Sequence, residues 1–331
     1  MKKNISKLLK EIKISEIENV RIGHAEDYEN GTGCSVIICE KGAPTGVDVR
    51  GGGPASKETE LLNPVAGADR IHSVVLTGGS AFGLDSASGV MKYLEERNIG
   101  FPVGMTVVPL VCASAIFDLN VKNHKIRPDK EMGYKAALDS ENKRFESGCI
   151  GGGIGASVGK FSGPERTMKS GLGCYAVQIG ELKLGAIVVV NALGDIFDIE
   201  SGEKLAGVLS EDKKSFSDTE EEFYKVCGKM KNIFTGNTTI GAIITNGKFN
   251  KVEMKKIAAM AQNGFARTIS PVHTMADGDS VYALSVGEIE ADINVVGTLA
   301  AYVMGKAINR GVCSAKSMYG YLSFENFKGR Y

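Results

Sequence analysis

Neither sign of charge is in excess along this chain. Its 331 residues hold 39 Lys plus Arg and 39 Asp plus Glu, a formal net charge of zero. Such a chain has no bulk field to gather nucleic acid or anionic lipid, so neither is expected as a partner. The seven cysteines stand at 34, 39, 112, 149, 174, 227 and 313, an odd number with no CxxC pair, which argues against a disulfide framework. The four histidines (His24, His72, His124, His273) are isolated and no HExxH occurs, so neither a metal site nor a cofactor is expected. Apolar runs such as Gly185 to Val190 are far too short to cross a bilayer. The opening MKKNISKLLKEIKI starts basic, but Lys10, Glu11 and Lys13 interrupt it, so it does not read as a signal peptide. A soluble, cytoplasmic protein is the expectation. Tryptophan is absent too, which excludes nothing. Glycine, by contrast, is abundant: its 42 residues are about twice the usual share. They are clustered without a period, which excludes a collagen-like chain and suggests sites where backbone approaches backbone or ligand.

Short strands and helices alternate. Cys34 to Cys39, Ser73 to Leu76 and Met105 to Val108 are β-branched-rich runs bounded by glycine or proline. Ala81 to Glu96 carries apolar residues at helical spacing. Tyr175 to Ile179 and Leu184 to Val190, separated around Gly180-Glu181, predict a hairpin. Thr239 to Thr245 reads as a strand ending at the turn signal Asn246-Gly247. Asn250 and Glu253 form a capping box for the next helix. Val281 to Val286 is a further strand and Asp292 to Asn309 a further helix. The polar stretches 121–147 and 201–232 lie outside this pattern, and the second reads as a solvated linker, partly helical near Glu220 to Cys227. Mixed strands and helices with hairpins point to an α/β or α+β fold.

Four motifs carry candidate chemistry. Gly148 to Lys160 (GCIGGGIGASVGK) lacks both the spacing of a phosphate loop and that of a dinucleotide fingerprint. Thr77 to Gly83 (TGGSAFG) has Phe82 where a nucleophile elbow needs glycine, and Ser80 reads instead as a helix N-cap. Gly236-Asn237-Thr238-Thr239-Ile240 admits two readings. Either two β-formers open a strand, or the Thr238 hydroxyl attacks the preceding carbonyl and cleaves Asn237–Thr238. The freed α-amine, with a reference pKa of about 7.7–8.0, would then serve as base for its own hydroxyl. Asp277-Gly278-Asp279 is either a turn or a carboxylate pair that orients such an amine.

These motifs resemble, in order, the DmpA-type aminopeptidases and β-peptidyl aminopeptidases, and among them the branch containing the nylon-oligomer (6-aminohexanoate oligomer) endo-hydrolase. The matching stretches are VRIGH (Val20 to His24), GVDVRGGG (Gly46 to Gly53), TGGSAFGLD (Thr77 to Asp85) and IFDL (Ile116 to Leu119). Gly151 to Lys160, VVVNALGD (Val188 to Asp195), Gly236 to Ile240 and Asp277 to Asp279 complete the set. The resemblance implies an N-terminal-nucleophile-like αββα sandwich, self-cleaved into subunits 1–237 and 238–331. It implies Thr238 as nucleophile and Asp277 and Asp279 as the groups orienting its amine and hydroxyl. Lys160 would lie by the nucleophile, and Asn191 would donate to the substrate carbonyl. Gly78, Gly79 and Gly152 would let substrate pass close to the backbone. Phe117, in IFDL, stands where relatives often carry a tyrosine hydroxyl near the substrate. A homo-oligomer, often a tetramer, is implied as well, with short peptides or ω-amino-acid oligomers as substrates. An acyltransferase of the ornithine acetyltransferase type shares this chemistry. A non-catalytic glycine-loop ligand-binding protein is the alternative from another class.

Overall fold

Two sheets, packed face to face, account for eleven strands. In chain order these are β1 (Lys10–Ile12), β2 (Arg21–Asp27), β3 (Thr32–Ala43), β4 (Thr45–Val49), β5 (Ser56–Lys57) and β6 (Ile71–Thr77). There follow β7 (Val111–Ala115), β8 (Leu172–Ile179), β9 (Leu182–Val189), β10 (Ile240–Gly247) and β11 (Ser280–Ile289). The first sheet runs β1-β8-β9-β10-β11-β4 and the second β2-β3-β6-β7-β5. The main helices are α1 (Ser80–Gly83), α2 (Ser86–Glu95), α3 (Lys130–Asp139), α4 (Thr219–Lys225), α5 (Lys251–Ala266) and α6 (Ile293–Cys313). The computed structural model describes residues 8–142, 145–227 and 236–329.

Alternation along the strands builds the layers. In β3, Ile37 faces the opposite sheet while Val36 and Ile38 face α2 and α3. In β10, Ile240, Ala242 and Ile244 join the inter-sheet core, whereas Ile243 meets the layer of α5 and α6. Both faces of these strands are buried, which is why they read as nearly continuous apolar runs. The order of layers is helices, sheet, sheet, helices, the αββα sandwich that the resemblance implies. Tyr282 of β11 keeps its hydroxyl bonded inside the core by meeting Ser114 Oγ of the other sheet at 2.8 Å.

Several expectations hold and several need correction. The β8–β9 hairpin pairs from Leu172 with Val189 to Ile179 with Leu182. The capping box at α5 is present, with Asn250 Oδ1 accepting from Glu253 N at 3.0 Å and Glu253 Oε2 accepting from Asn250 N at 2.8 Å. The run Met105 to Val108 is not a sheet strand: Val107 and Val108 pair with Phe101 and Pro102 in a separate exposed hairpin, and Met105 is 96% exposed. The sheet strand is Val111–Ala115, whose small side chains suit a position packed on both sides. The helix predicted over Ala81 to Glu96 is interrupted at Leu84 and Asp85. The first turn doubles back so closely that a Cβ at Gly83 would lie 1.8 Å from the Gly78 carbonyl oxygen. Ser80 is not the N-cap; it is the first residue of α1, at φ +54°, and Gly79 precedes it at φ +80°.

The stretch 121–147 contains α3, whose N-cap Asp129 accepts from Met132 N at 2.9 Å. The described part of the stretch 201–232, residues 201–227, is anchored and not wholly solvated. Buried Asp195 holds Lys204 Nζ at 2.7 Å, Val208 N at 2.8 Å and Thr219 Oγ1 at 2.7 Å, so Leu205, Ala206 and Leu209 reach the core. The helix expected near Glu220 to Cys227 is α4; the last residues of that stretch, 228–232, lie outside the described residues, as do 1–7 of the basic N-terminal segment. No helix among the described residues is long and apolar enough to cross a membrane.

Helix α6 seats on β8 through glycine, since a Cβ at Gly173 would stand 1.9 Å from the Ala307 carbonyl oxygen and 2.6 Å from Gly311 N. Both neighbours are backbone and cannot rotate away. Gly173→Ala is therefore expected to destabilise the fold by about 1–3 kcal/mol or more. The check is the urea midpoint, which should fall with an unchanged denaturant slope.

Candidate active site

The site is a meeting of strand ends. β10 and β11 run parallel, pairing Ile240 with Ser280, so the residues leading into them lie side by side and Asn237 bridges to Asp277. β9 is antiparallel to β10, pairing Val189 with Ile240, which carries Asn191 to the same point. In the second sheet, β6 and β7 are also parallel, pairing Thr77 with Ala115, so Gly78, Gly79, Phe117 and Asp118 emerge together. Lys160 enters from a loop held by its own N–H on the Leu193 carbonyl at 3.1 Å.

Thr238 is 4% exposed, and its N–H donates to the Asn191 carbonyl at 2.9 Å. Its hydroxyl donates to the carbonyl oxygen of Asn237, the residue before it. That same carbonyl accepts from Gly278 N at 3.1 Å. A Cβ at Gly278 would lie 2.7 Å from Thr238 Oγ1, so glycine there leaves room for the hydroxyl. The Asn237–Thr238 peptide thus carries a hydroxyl and an N–H on one carbonyl.

Lys160 Nζ donates to Asn191 Oδ1 at 2.6 Å and reaches the carbonyls of Asn191 at 3.4 Å and Gly236 at 3.5 Å. Burial pulls this ammonium down to about 7; Asp277 and Asp118 oppose the shift, while neighbouring Lys169 adds to it. Asn191 Oδ1 also accepts from Ser157 N at 3.2 Å, and its Nδ2 donates to the Phe117 carbonyl at 3.1 Å. The side-chain amide expected to donate to the substrate carbonyl is therefore engaged with the protein's own backbone through Nδ2.

The two aspartates are held differently. Asp277 Oδ2 accepts from Thr274 N at 2.9 Å and Thr274 Oγ1 at 2.6 Å. Burial and then the Asp279 charge hold its carboxyl above the usual range. Asp279 Oδ1 accepts from Thr239 N at 2.8 Å, and Oδ2 accepts from His273 N at 3.2 Å and meets His273 Nδ1 at 2.9 Å. Asp279 thus bonds the residue after Thr238. The Gly51–Gly53 segment lies over this turn, with Gly53 N on the Asp277 carbonyl at 2.8 Å.

The remaining predicted residues are packed against protein. A Cβ at Gly236 would lie 2.5 Å from the Phe117 ring, so Phe117 covers the chain just before the threonine. Gly78 faces Asp118 Oδ2 and Thr32 Oγ1, Gly79 faces Arg127 and Pro128, and Gly152 is buried against the Leu76 carbonyl and Val189. Sequence reasoning assigned no role to His273, Thr274, Asp118 or Lys169. His273 and Thr274 stand three to four residues before Asp277 in the same turn, a local signal; buried Lys169 left none. Among the described residues no group of three or more His, Cys, Asp or Glu is arranged to hold a metal ion.

The chain is similar to known proteins along nearly its whole length. The family model "Peptidase family S58" matches residues 13–324. The chain is 32% identical to an uncharacterised aminopeptidase of Mycobacterium leprae, covering 93% of this chain and 91% of that one. It is 31% identical to a 6-aminohexanoate-oligomer endohydrolase of a Kocuria species, covering 83% and 75%. Among solved structures, the L-aminopeptidase D-Ala-esterase/amidase of Ochrobactrum anthropi, described as a variant among the Ntn hydrolase fold, superposes with a TM-score of 0.70 at 15% identity. That match covers 96% of this chain and 92% of the other. A β-aminopeptidase of a Burkholderia species gives a TM-score of 0.67 at 16% identity, covering 96% and 92%. With a family model matched along nearly its whole length and relatives above 30% identity over most of it, the chain belongs to peptidase family S58, the DmpA/β-aminopeptidase family of amide-bond hydrolases with an Ntn-hydrolase fold.

Proposed function

We propose that the protein is a self-processing hydrolase whose nucleophile is Thr238, freed by cleavage of its own Asn237–Thr238 bond. The observation that carries this reading is the hydroxyl of Thr238 on the Asn237 carbonyl, with the Gly278 N–H on the same oxygen. In the first step Thr238 Oγ1 attacks the Asn237 carbonyl carbon, and the developing oxyanion is met by the Gly278 N–H. Before cleavage the α-amine is a peptide nitrogen and no base. Lys160, lowered to about 7 and reaching the adjacent Gly236 carbonyl, takes the hydroxyl proton. The C–N bond then breaks, its nitrogen takes the proton that Lys160 received, and an ester joins Asn237 to Thr238. Water hydrolyses that ester to a carboxylate at Asn237 and a free threonine, giving subunits 1–237 and 238–331.

In the mature enzyme the Thr238 amine is the base for its own hydroxyl, with a reference pKa of about 7.7–8.0. Thr238 attacks a substrate amide, its amine passes the proton to the leaving amine, and water releases the acyl group. The substrates are short peptides or ω-amino-acid oligomers, a class supported by the aminopeptidase and 6-aminohexanoate-oligomer endohydrolase names among the relatives.

Two outcomes are expected. Intact mass of the purified chain should resolve the 35.1 kDa protein into pieces of roughly 25 and 10 kDa, the smaller beginning Thr-Thr-Ile-Gly. Thr238→Ala should remain whole and inactive, whereas Thr238→Ser should still cleave; processing of the alanine variant would end the proposal. The pH dependence is set by Lys160. Below about 7 it is ammonium and accepts no proton, so the first-order rate of self-cleavage should climb nearly tenfold per unit towards that pH and level off above it. A rate independent of pH between 5.5 and 8.5 would remove Lys160 as the base.

A further inference from the structure

Close to this cluster lies a buried carboxylate, Asp118, that takes no part in the chemistry proposed above. Asp118 follows Phe117 where β7 ends and is 4% exposed. Its Oδ1 accepts from Gly79 N at 2.7 Å and its Oδ2 from Thr32 Oγ1 at 2.8 Å. Two glycine loops close upon it: a Cβ at Gly78 would stand 2.1 Å from Oδ2, and one at Gly155 would stand 2.4 Å from the Asp118 Cβ. Three separate stretches of the chain, around residues 32, 78 and 155, therefore converge on the Asp118 side chain.

From Asp118 a short chain of contacts leads to the reacting peptide. The preceding carbonyl, of Phe117, accepts Asn191 Nδ2 at 3.1 Å. Asn191 Oδ1 holds Lys160 Nζ at 2.6 Å, and the Asn191 carbonyl holds Thr238 N at 2.9 Å. Asp118 also bears on Lys160 through its charge. Around that ammonium the charged groups are Asp277 and Asp118, which favour its protonated form, and Lys169, which opposes it. Asp279 and His273 lie beyond Asp277. Lys169 itself donates to the carbonyls of Gly153 at 3.2 Å and Ala156 at 2.8 Å, and feels the Asp118 charge as well.

We propose that Asp118 is a positioning residue for the Thr238 reaction: it clamps the Gly78–Gly79 and Gly155 loops, steadies the Phe117 carbonyl that orients Asn191, and supplies interior counter-charge to Lys160. The proposal rests on the Thr238 and Lys160 reading above. A carboxylate this enclosed is costly to desolvate and is pushed up to about 6 by its burial, against the pull of Gly79, Thr32 and Lys160. Hydrogen bonds from Gly79 N and Thr32 Oγ1 and the field of the buried lysines offset that cost.

Asp118→Asn separates charge from geometry. An amide keeps Oδ1 on the Gly79 N–H and turns its NH2 to Thr32, whose hydroxyl reverses from donor to acceptor. The test follows self-cleavage of the full chain by intact mass, in cell-free synthesis at pH 5.5 to 8.5, for wild type, Asp118→Asn and Asp118→Ala. Without the negative charge Lys160 loses its proton more readily. The midpoint of the Asp118→Asn profile should move down by about one pH unit while its plateau stays within a few-fold of wild type. Asp118→Ala removes the clamp as well, and its plateau should drop at least tenfold. A midpoint that stays in place or rises in Asp118→Asn overturns the proposal, even if Asp118→Ala fails to fold. Failure of the underlying reading looks different: wild type then stays whole, or Thr238→Ala is cleaved, whatever residue 118 is.

Discussion

The parallel pairing of β10 with β11 is the constraint on which the rest of the site depends. Two parallel neighbours begin at the same edge of a sheet, so the residues leading into them lie together. Asn237 and Thr238 thereby stand beside Asp277 to Asp279 although some forty residues separate them. The core sets the register. Ile240, Ala242 and Ile244 fill the space between the sheets, and a slip of one residue would turn them toward the helices. Antiparallel β9 delivers Asn191 to the same edge. Packing thus places the Asn237–Thr238 peptide, and the site inherits its geometry from the core.

Burial then sets the electrostatics. Water is excluded from Lys160, Lys169, Asp118 and Asp277, and each is driven toward its neutral form, the lysines downward and the acids upward. Opposite charges within the cluster hold these shifts in check, and the outcome is a set of groups poised around neutral pH. An exposed lysine would remain ammonium there. The same enclosure covers the threonine, with Phe117 lying over Gly236 just ahead of it.

The abundance of glycine belongs chiefly to the protein's own contacts. Gly89 and Gly133 let α2 and α3 approach until a Cβ on either would meet a backbone oxygen of the other at 1.8 Å. Gly173 does the same for β8 against α6. At Gly78 and Gly155 the space is filled by Asp118, a side chain brought in by a distant segment. Of the two meanings the composition allowed, backbone against backbone accounts for most of the clusters.

Local features were legible wherever a residue's neighbours in sequence are also its neighbours in space. The capping box at α5, the β8–β9 hairpin and the strand starts after Thr238 and Asp279 are of this kind. Their hydrogen bonds close within a few residues or follow the alternation of side chains. Strand β7 was hidden because Val-Cys-Ala-Ser-Ala has weak β preference, and only packing on both faces makes a strand of it. Helix α3 and the anchored segment after residue 201 were hidden by polar residues whose partners, Asp195 among them, lie elsewhere in the chain. The motifs by themselves determined the family, the fold class and a short set of candidate groups. The tertiary structure decided which of those groups meet, that Asp279 bonds His273 and Thr239, and that Asp118 lies between two glycine loops. The reason is that desolvation and long-range strand pairing depend on how the whole chain fills space, and a linear spacing of residues does not contain that information.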